Sequence, residues 1–192
     1  MGIVEYPRIV MSRAEFRAWA EHQPRRHELH DGEVVEMNAE RLGHALVKAR
    51  IWSVLDRAIR AGRLPCMAFP DGATVEVGDR TDFIPDVAVH AGAMPDLDGV
   101  TLPAPVIVVE VLSPATERRD LGRKMRGYFQ VPSIVHYLLV DWQERTVIHH
   151  RRNGEEIATR ILSSGGALSL DPPGISVEIA EFFSDLDDTP AA

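Results

Sequence analysis

Val106-Ile107-Val108-Val109-Glu110-Val111-Leu112 is a β-branched and aliphatic run with no polar alternation. This is the pattern of a central strand covered on both faces. Glu110 is the exception within it. A carboxylate at such a position costs several kcal/mol unless a cation, a metal or a donor network meets it. Asp86 sets the same problem at the head of Ile84-Pro85-Asp86-Val87-Ala88-Val89. If these two strands are neighbours, both acids reach one edge or face of the sheet. Two close carboxylates do not both stay ionised without a cation between them. Oxygen ligands of this kind suit a hard divalent ion such as Mg²⁺ or Mn²⁺. Taken singly, either acid could serve a local backbone or ion-pair need; taken together they point to a metal site.

The rest of the chain is consistent with one domain built around that strand. It has 192 residues, 45% hydrophobic and 26% charged, enough for a real core in one domain over residues 1–183. A short acidic helix is expected over 177–183, and a frayed tail over 184–192. Ser12-Arg13-Ala14-Glu15 has capping-box spacing and opens a short helix that stops near Gln23-Pro24. Asp31-Gly32 between two short strand-like runs signals a hairpin. Residues 41–61 carry Leu42, Ala45, Leu46, Ala49, Ile51, Trp52, Leu55 and Ile59 at helical spacing. Three segments, 67–69, 73–77 and 83–89, are separated by Asp-Gly and Gly-Asp turns and are expected to form a meander. Residues 90–105 should be an exposed loop. Thr116 can cap a helix reaching Phe129, and strands are expected over 134–141, 145–150 and 157–162.

Several classes are narrowed by composition. The single cysteine, Cys66, rules out an internal disulfide and a cysteine zinc cluster, and its apolar surroundings suit an inert buried thiol. No run approaches the ~20 apolar residues that span a bilayer, and the N-terminus lacks a basic flank with an apolar core, so a cytoplasmic protein is expected. The net charge of −8 argues against broad electrostatic attachment to nucleic acid but leaves room for a local basic surface.

On the helix after Glu110, about 100° per residue aligns Leu121, Met125, Tyr128 and Phe129 toward the sheet. Lys124 flanks that stripe and can reach inward, while Arg119, Arg123 and Arg126 point away. The plainer reading of Lys124 is a snorkelling side chain paired with Asp120 at i, i+4.

The ordered set Glu28-Leu29-His30-Asp31-Gly32, His44, Pro85-Asp86-Val87, Val109-Glu110-Val111-Leu112-Ser113-Pro114, Asp120, Lys124, Tyr128 and His136-Tyr137-Leu138-Leu139-Val140-Asp141 resembles the Uma-type restriction endonuclease family of the PD-(D/E)XK nuclease superfamily. The resemblance runs from about Met11 to Phe183. It implies an α+β, restriction-endonuclease-like fold: a mixed β-sheet core flanked by helices. It also implies a Mg²⁺-dependent endonuclease acting on nucleic acid, with DNA the expected substrate. Asp86 and Glu110 match the family's metal-binding acids, and Glu28 matches an N-terminal acid counted with them. The superfamily's usual lysine two positions after the second acid is replaced here by Leu112. In Uma-type proteins a lysine of the following helix is thought to take its place, and Lys124 stands at the matching position. Leu138 occupies a site where the family commonly has tryptophan. A homodimer is expected by analogy, because cutting both strands of a duplex favours two-fold symmetry.

Rival readings concern other residues. His27 and His30, three apart on a strand, face opposite ways and do not ligate together. His44 reads first as a hydrogen-bonded helix-surface residue. His149-His150-Arg151-Arg152 reads first as a solvated hairpin end and second as a phosphate contact, and Arg119, Arg123 and Arg126 read as a solvated helix face. Two competing functions are a binding or assembly module that keeps the nuclease fold without turnover, and a hydrolase of a smaller phosphodiester. The acidic net charge and the missing strand lysine favour the first of these.

Overall fold

The computed structural model describes residues 9–37, 39–112 and 119–186, and for Arg119, Asp120 and Leu121 the backbone alone. Helix α1 (Arg13–Ala20) is followed by strands β1 (His27–His30) and β2 (Glu33–Glu36), and by the long helix α2 (Leu42–Gly62). Next come β3 (Cys66–Pro70), β4 (Val75–Val77), β5 (Thr81–Phe83), β6 (Val87–Ala91) and β7 (Pro105–Val111). Helix α3 (Arg119–Tyr128) leads to β8 (His136–Asp141), β9 (Thr146–Asn153), β10 (Glu156–Ser163), β11 (Ala167–Leu170) and β12 (Ile175–Glu178). A 3-10 helix over Ile179–Leu186 ends the described chain.

The main sheet has the order β10-β9-β8-β7-β6-β3, and a smaller sheet has the order β2-β1-β5-β4. All neighbours in the main sheet are antiparallel except β7 and β8, which run parallel with α3 in the connection between them. A parallel pair needs such a crossover, because a tight turn cannot return the chain in the same direction. With helices on both sides of a mixed sheet, the fold is α+β, as the resemblance implies.

Alternating residues of the central strands feed two cores. Val87, Val89, Val109, Val111, Leu138 and Val140 pack with Val47, Ile51 and Leu55 of α2 and with Phe182 and Phe183 of the last helix. Ala88, Val108, Tyr137 and Leu139 pack on the opposite face with Phe83 and with Tyr128 of α3. Every residue of β7 is buried, so the unbroken apolar run is indeed the middle of the molecule.

The expected meander is not formed. β4 and β5 pair with each other in the smaller sheet, whereas β3 pairs with β6 in the main one. The segment 83–89 is therefore two strands, broken at Ile84-Pro85-Asp86. Proline has no amide hydrogen to donate to a ladder and keeps the residue before it extended, so the chain passes from one sheet to the other there. On the β5 side, buried Asp82 is pinned to α1 by Arg13 at 2.6 Å and Arg17 at 3.3 Å.

At the C-terminal end, Val177 and Glu178 belong to β12, not to a helix. Leu168, Leu170, Ile175 and Val177 alternate inward across the β11–β12 hairpin, a period of two that a helix cannot use. The last helix runs on through Leu186, and Arg50 donates to Asp185 at 2.9 Å, so the packed chain extends beyond residue 183. The rest of the expected tail, 187–192, and the Thr116 cap lie outside the described residues.

Candidate active site

The crossing segment is what assembles the acids. Val87 pairs with Val109, so Asp86 and Glu110 lie one step further along at the same end of β6 and β7. Asp86 Oδ2 accepts the Val111 amide at 2.6 Å, which fixes the carboxylate against β7. On the other side of the crossing, the Ile84 amide donates to Glu28 Oε1 at 2.8 Å, which brings in the smaller sheet. Glu28, Asp86 and Glu110 are 4%, 6% and 8% exposed.

Lys124 completes this group. Its ammonium donates to Glu28 Oε1 and to Glu110 Oε1, both at 3.0 Å, and it lies over the Phe83 ring at 5.7 Å from the centroid. α3 can approach that closely because residue 127 is glycine: a Cβ there would stand 2.5 Å from Phe83 Cε2. Tyr128, one residue on, donates its hydroxyl to Glu110 Oε1 at 2.6 Å. Lys124 therefore reaches inward to two buried acids, while Arg123 and Arg126 are exposed; the side chain of Asp120 lies outside the described residues.

Charge in this cluster is unevenly balanced. Burial alone would raise the Glu28 carboxyl, but Lys124, His30 and the Ile84 amide hold it below the ordinary range. His30, two residues along the same strand face, donates Nε2 to Glu28 Oε2 at 2.7 Å. Glu110 goes the other way, to about 8: burial dominates and is reinforced by Asp86 and Glu28, with Lys124 and the Tyr128 hydroxyl opposing. Burial would likewise lower Lys124, but Glu110 and Glu28 raise it well above its ordinary value. The three acids thus share one field, and Glu110 is left short of a counter-ion.

Two residues of α2 complete the surroundings of Asp86. His44 is buried, donates Nε2 to the Val111 carbonyl at 2.8 Å, and stands 3.8 Å from Asp86 Oδ2, so it is not a surface residue. Lys48 is 5% exposed and lies 2.9 Å from Asp86 Oδ1 and 2.8 Å from Asp71 Oδ2, with Glu40 as a third partner. Sequence reasoning passed over Lys48 as one of the polar residues between apolar positions. The available signal was that 44, 48, 51 and 55 fall on one helical face, so two polar residues extend a stripe whose other members are core.

The 149–152 stretch also differs from its first reading. His149 is 1% exposed and pairs through Nε2 with Nδ1 of buried His136 at 2.9 Å. His150 stacks on Tyr137. Arg152 donates to the carbonyls of Phe129, Val131 and Ile134, closing the C-terminal end of α3. These side chains brace the sheet and hold the helix that carries Lys124. Cys66 is partly buried, and burial pushes its thiol up.

Carboxylate oxygens are the ligands a hard divalent cation takes. Glu28, Asp86 and Glu110 offer carboxylate oxygens, and Glu110 Oε2 accepts from no described residue. Among the described residues no three acid, histidine or cysteine side chains already converge as a metal cage; ammonium groups stand between the acids instead. An open groove of about 870 Å³ borders the site at His30 and Phe83 and is also lined by Arg80, Arg123 and Arg126, with Asp31, Glu33 and Asp79.

Comparison with known proteins follows the same outline. The model of the Uma2 family, described as "Putative restriction endonuclease", matches residues 13–180. An uncharacterized protein of Synechocystis sp. is 25% identical over 171 residues, covering 88% of this chain and 89% of that protein. The crystal structure of a putative nuclease belonging to DUF820 from Anabaena variabilis superposes with a TM-score of 0.73 at 18% identity, over 91% of this chain and 98% of that one. Among the described residues no helix is long and apolar enough to cross a membrane.

Proposed function

Because this chain belongs to the Uma2 family of restriction-endonuclease-like proteins, we propose that it is a Mg²⁺- or Mn²⁺-dependent endonuclease hydrolysing phosphodiester bonds of nucleic acid, with DNA the favoured substrate. The observation that carries this reading is that Lys124 bridges buried Glu28 and Glu110 from two sheets, with Asp86 held against β7 at the same end of the strands. Asp86 and Glu110, with Glu28, would hold the ion. When bound, the ion supplies neutralisation of the phosphate's charge and Lewis acidity toward the attacking water.

The chain's own groups do the rest. The Val111 amide aims Asp86, and the Tyr128 hydroxyl aims Glu110. Lys124, held protonated, presents a compact cation where negative charge develops on the phosphoryl group. It does so from α3 instead of from position 112, where the side chain is leucine. His30 holds Glu28 toward Lys124. Two copies of the chain related by two-fold symmetry would place one such site on each strand of a duplex.

A second reading has an observation of its own. Lys48 already pairs with Asp86, and Lys124 with Glu28 and Glu110, and a net charge of −8 weakens attraction to phosphate, which favours a nuclease-fold binding module without turnover. Cleavage assays on DNA and RNA with Mg²⁺ and Mn²⁺ separate the two. Asp86→Asn and Glu110→Gln should each abolish metal-dependent cleavage while the circular dichroism spectrum stays unchanged. Wild-type activity in either variant removes the assignment. Metal binding with no cleavage of any substrate establishes the second reading instead.

A further inference from the structure

Lys48 is not used by the catalytic reading, yet it is almost fully buried and its ammonium meets three carboxylates: Asp86 at 2.9 Å, Asp71 at 2.8 Å, and Glu40. Asp86 spends Oδ2 on the Val111 amide. Oδ1, the oxygen left for a cation, is the one Lys48 occupies. A divalent ion and an ammonium compete for the same lone pairs of a carboxylate, because both are hard and strongly hydrated cations. The other two acids offer Lys48 somewhere to go. Asp71 is itself anchored by a two-pronged contact with Arg26 at 2.6 and 2.7 Å, and so stays in place as an acceptor when Asp86 is released.

We propose that Lys48 is a tethered competitor for the metal at Asp86: it neutralises the acid in the metal-free protein and withdraws onto Asp71 and Glu40 when the ion arrives. Lys48 is thus a positioning residue that sets the site's metal affinity. It keeps the metal-free fold from carrying an unpaired buried acid and sets a threshold of ion concentration below which the site stays closed to metal. The inference rests on the reading of Asp86 as a metal ligand.

The test is Mn²⁺ binding to the full chain without nucleic acid, followed by loss of the free-ion electron paramagnetic resonance signal. Lys48→Gln keeps a hydrogen-bond donor and loses the charge; it should tighten Mn²⁺ binding by about tenfold or more. Lys48→Arg, which keeps the charge, should bind no more tightly than wild type. Asp86→Asn should lose the site in either background. Arg26→Gln removes a cation from the same cluster without touching Asp86, and should change affinity much less than Lys48→Gln does. Should Lys48→Gln fail to fold, the converse measurement stands in: acetylation of Lys48 by acetic anhydride in the wild-type chain, read by mass spectrometry, should rise on adding Mn²⁺. Unchanged or weaker Mn²⁺ binding in Lys48→Gln, or equal tightening in Arg26→Gln, overturns the competitor role while leaving Asp86 as a ligand. In the fallback, acetylation that does not respond to Mn²⁺ overturns it. Absence of Mn²⁺ binding in wild type and Lys48→Gln alike overturns both this inference and the metal reading beneath it.

Discussion

Glu110→Gln is expected to stabilise the metal-free protein at neutral pH. In the folded chain the Glu110 carboxyl keeps its proton up to about pH 8, against an ordinary value of 4.5, because it is buried near Asp86 and Glu28. Between those two values the folded state binds more protons than the unfolded chain, so stability falls as pH rises. The contribution is complete below 4.5 and gone once pH passes about 8. At about 1.4 kcal/mol per pH unit the full window removes about 5 kcal/mol, of which about 3 kcal/mol is lost by about pH 7. Glutamine cannot ionise and so does not lose it. Its carbonyl can accept from Tyr128 and Lys124 as Glu110 Oε1 does, and its amide takes the place of the oxygen that accepts from no described residue. Urea unfolding of both proteins in chelator, at several pH values from about 5 to 8.5, measures the difference. The pH slope carries the test, since any mismatch of the amide shifts all points alike. Parallel pH dependence in the two proteins, or a Glu110→Gln chain that loses ground to wild type as pH rises, would refute the reasoning.

Other outcomes follow from features away from that carboxyl. His136 and His149 are held neutral down to about 4, chiefly by burial, with Arg151 adding to the first and His136 to the second. The unfolded chain protonates them near 6.5, so their contribution is intact above that value and is lost as pH falls toward 4. His149→Gln should flatten this acid limb in a stability titration, and an unchanged limb would assign the acid sensitivity elsewhere. Gly127→Ala places a methyl 2.5 Å from Phe83 Cε2 and 3.2 Å from Cζ. It should cost about 1–3 kcal/mol by overpacking and reduce cleavage beyond the loss of folded protein by displacing Lys124; a variant with wild-type melting and activity would show that α3 has slack there.

What the sequence revealed depended on whether a residue's role was set within one element. Glu110 stood out because a lone acid in an apolar strand has no local explanation, and Pro85 before Asp86 marked where a second acid meets it. The helical period put Lys124 within inward reach, but left a snorkelling lysine paired with Asp120 as the plainer reading until the two acids and the family resemblance were weighed with it. Lys48 could not be assigned in this way: its three partners lie at positions 40, 71 and 86, and only tertiary folding gathers them. The same limit hid the burial of His149, because its partner His136 belongs to a different strand. Asp82 beneath α1 was likewise invisible, being explained by Arg13 and Arg17 more than sixty positions away. The β11–β12 hairpin is a different case, since alternating Leu168, Leu170, Ile175 and Val177 around Asp171-Pro172-Pro173-Gly174 was readable locally as strand–turn–strand.

The passage of the chain between sheets at Ile84-Pro85-Asp86 also couples mechanics to chemistry. Glu28 holds the Ile84 amide on the smaller sheet, and Asp86 holds the Val111 amide on the larger one. The backbone at this junction is thus fastened by the very carboxylates proposed to do the chemistry. Peeling β1, β2, β4 and β5 away from the rest would dismantle the acid cluster as its first event. Amide hydrogen exchange at Ile84 and Val111 therefore serves as an internal gauge of how often the acid cluster is intact, read without any substrate.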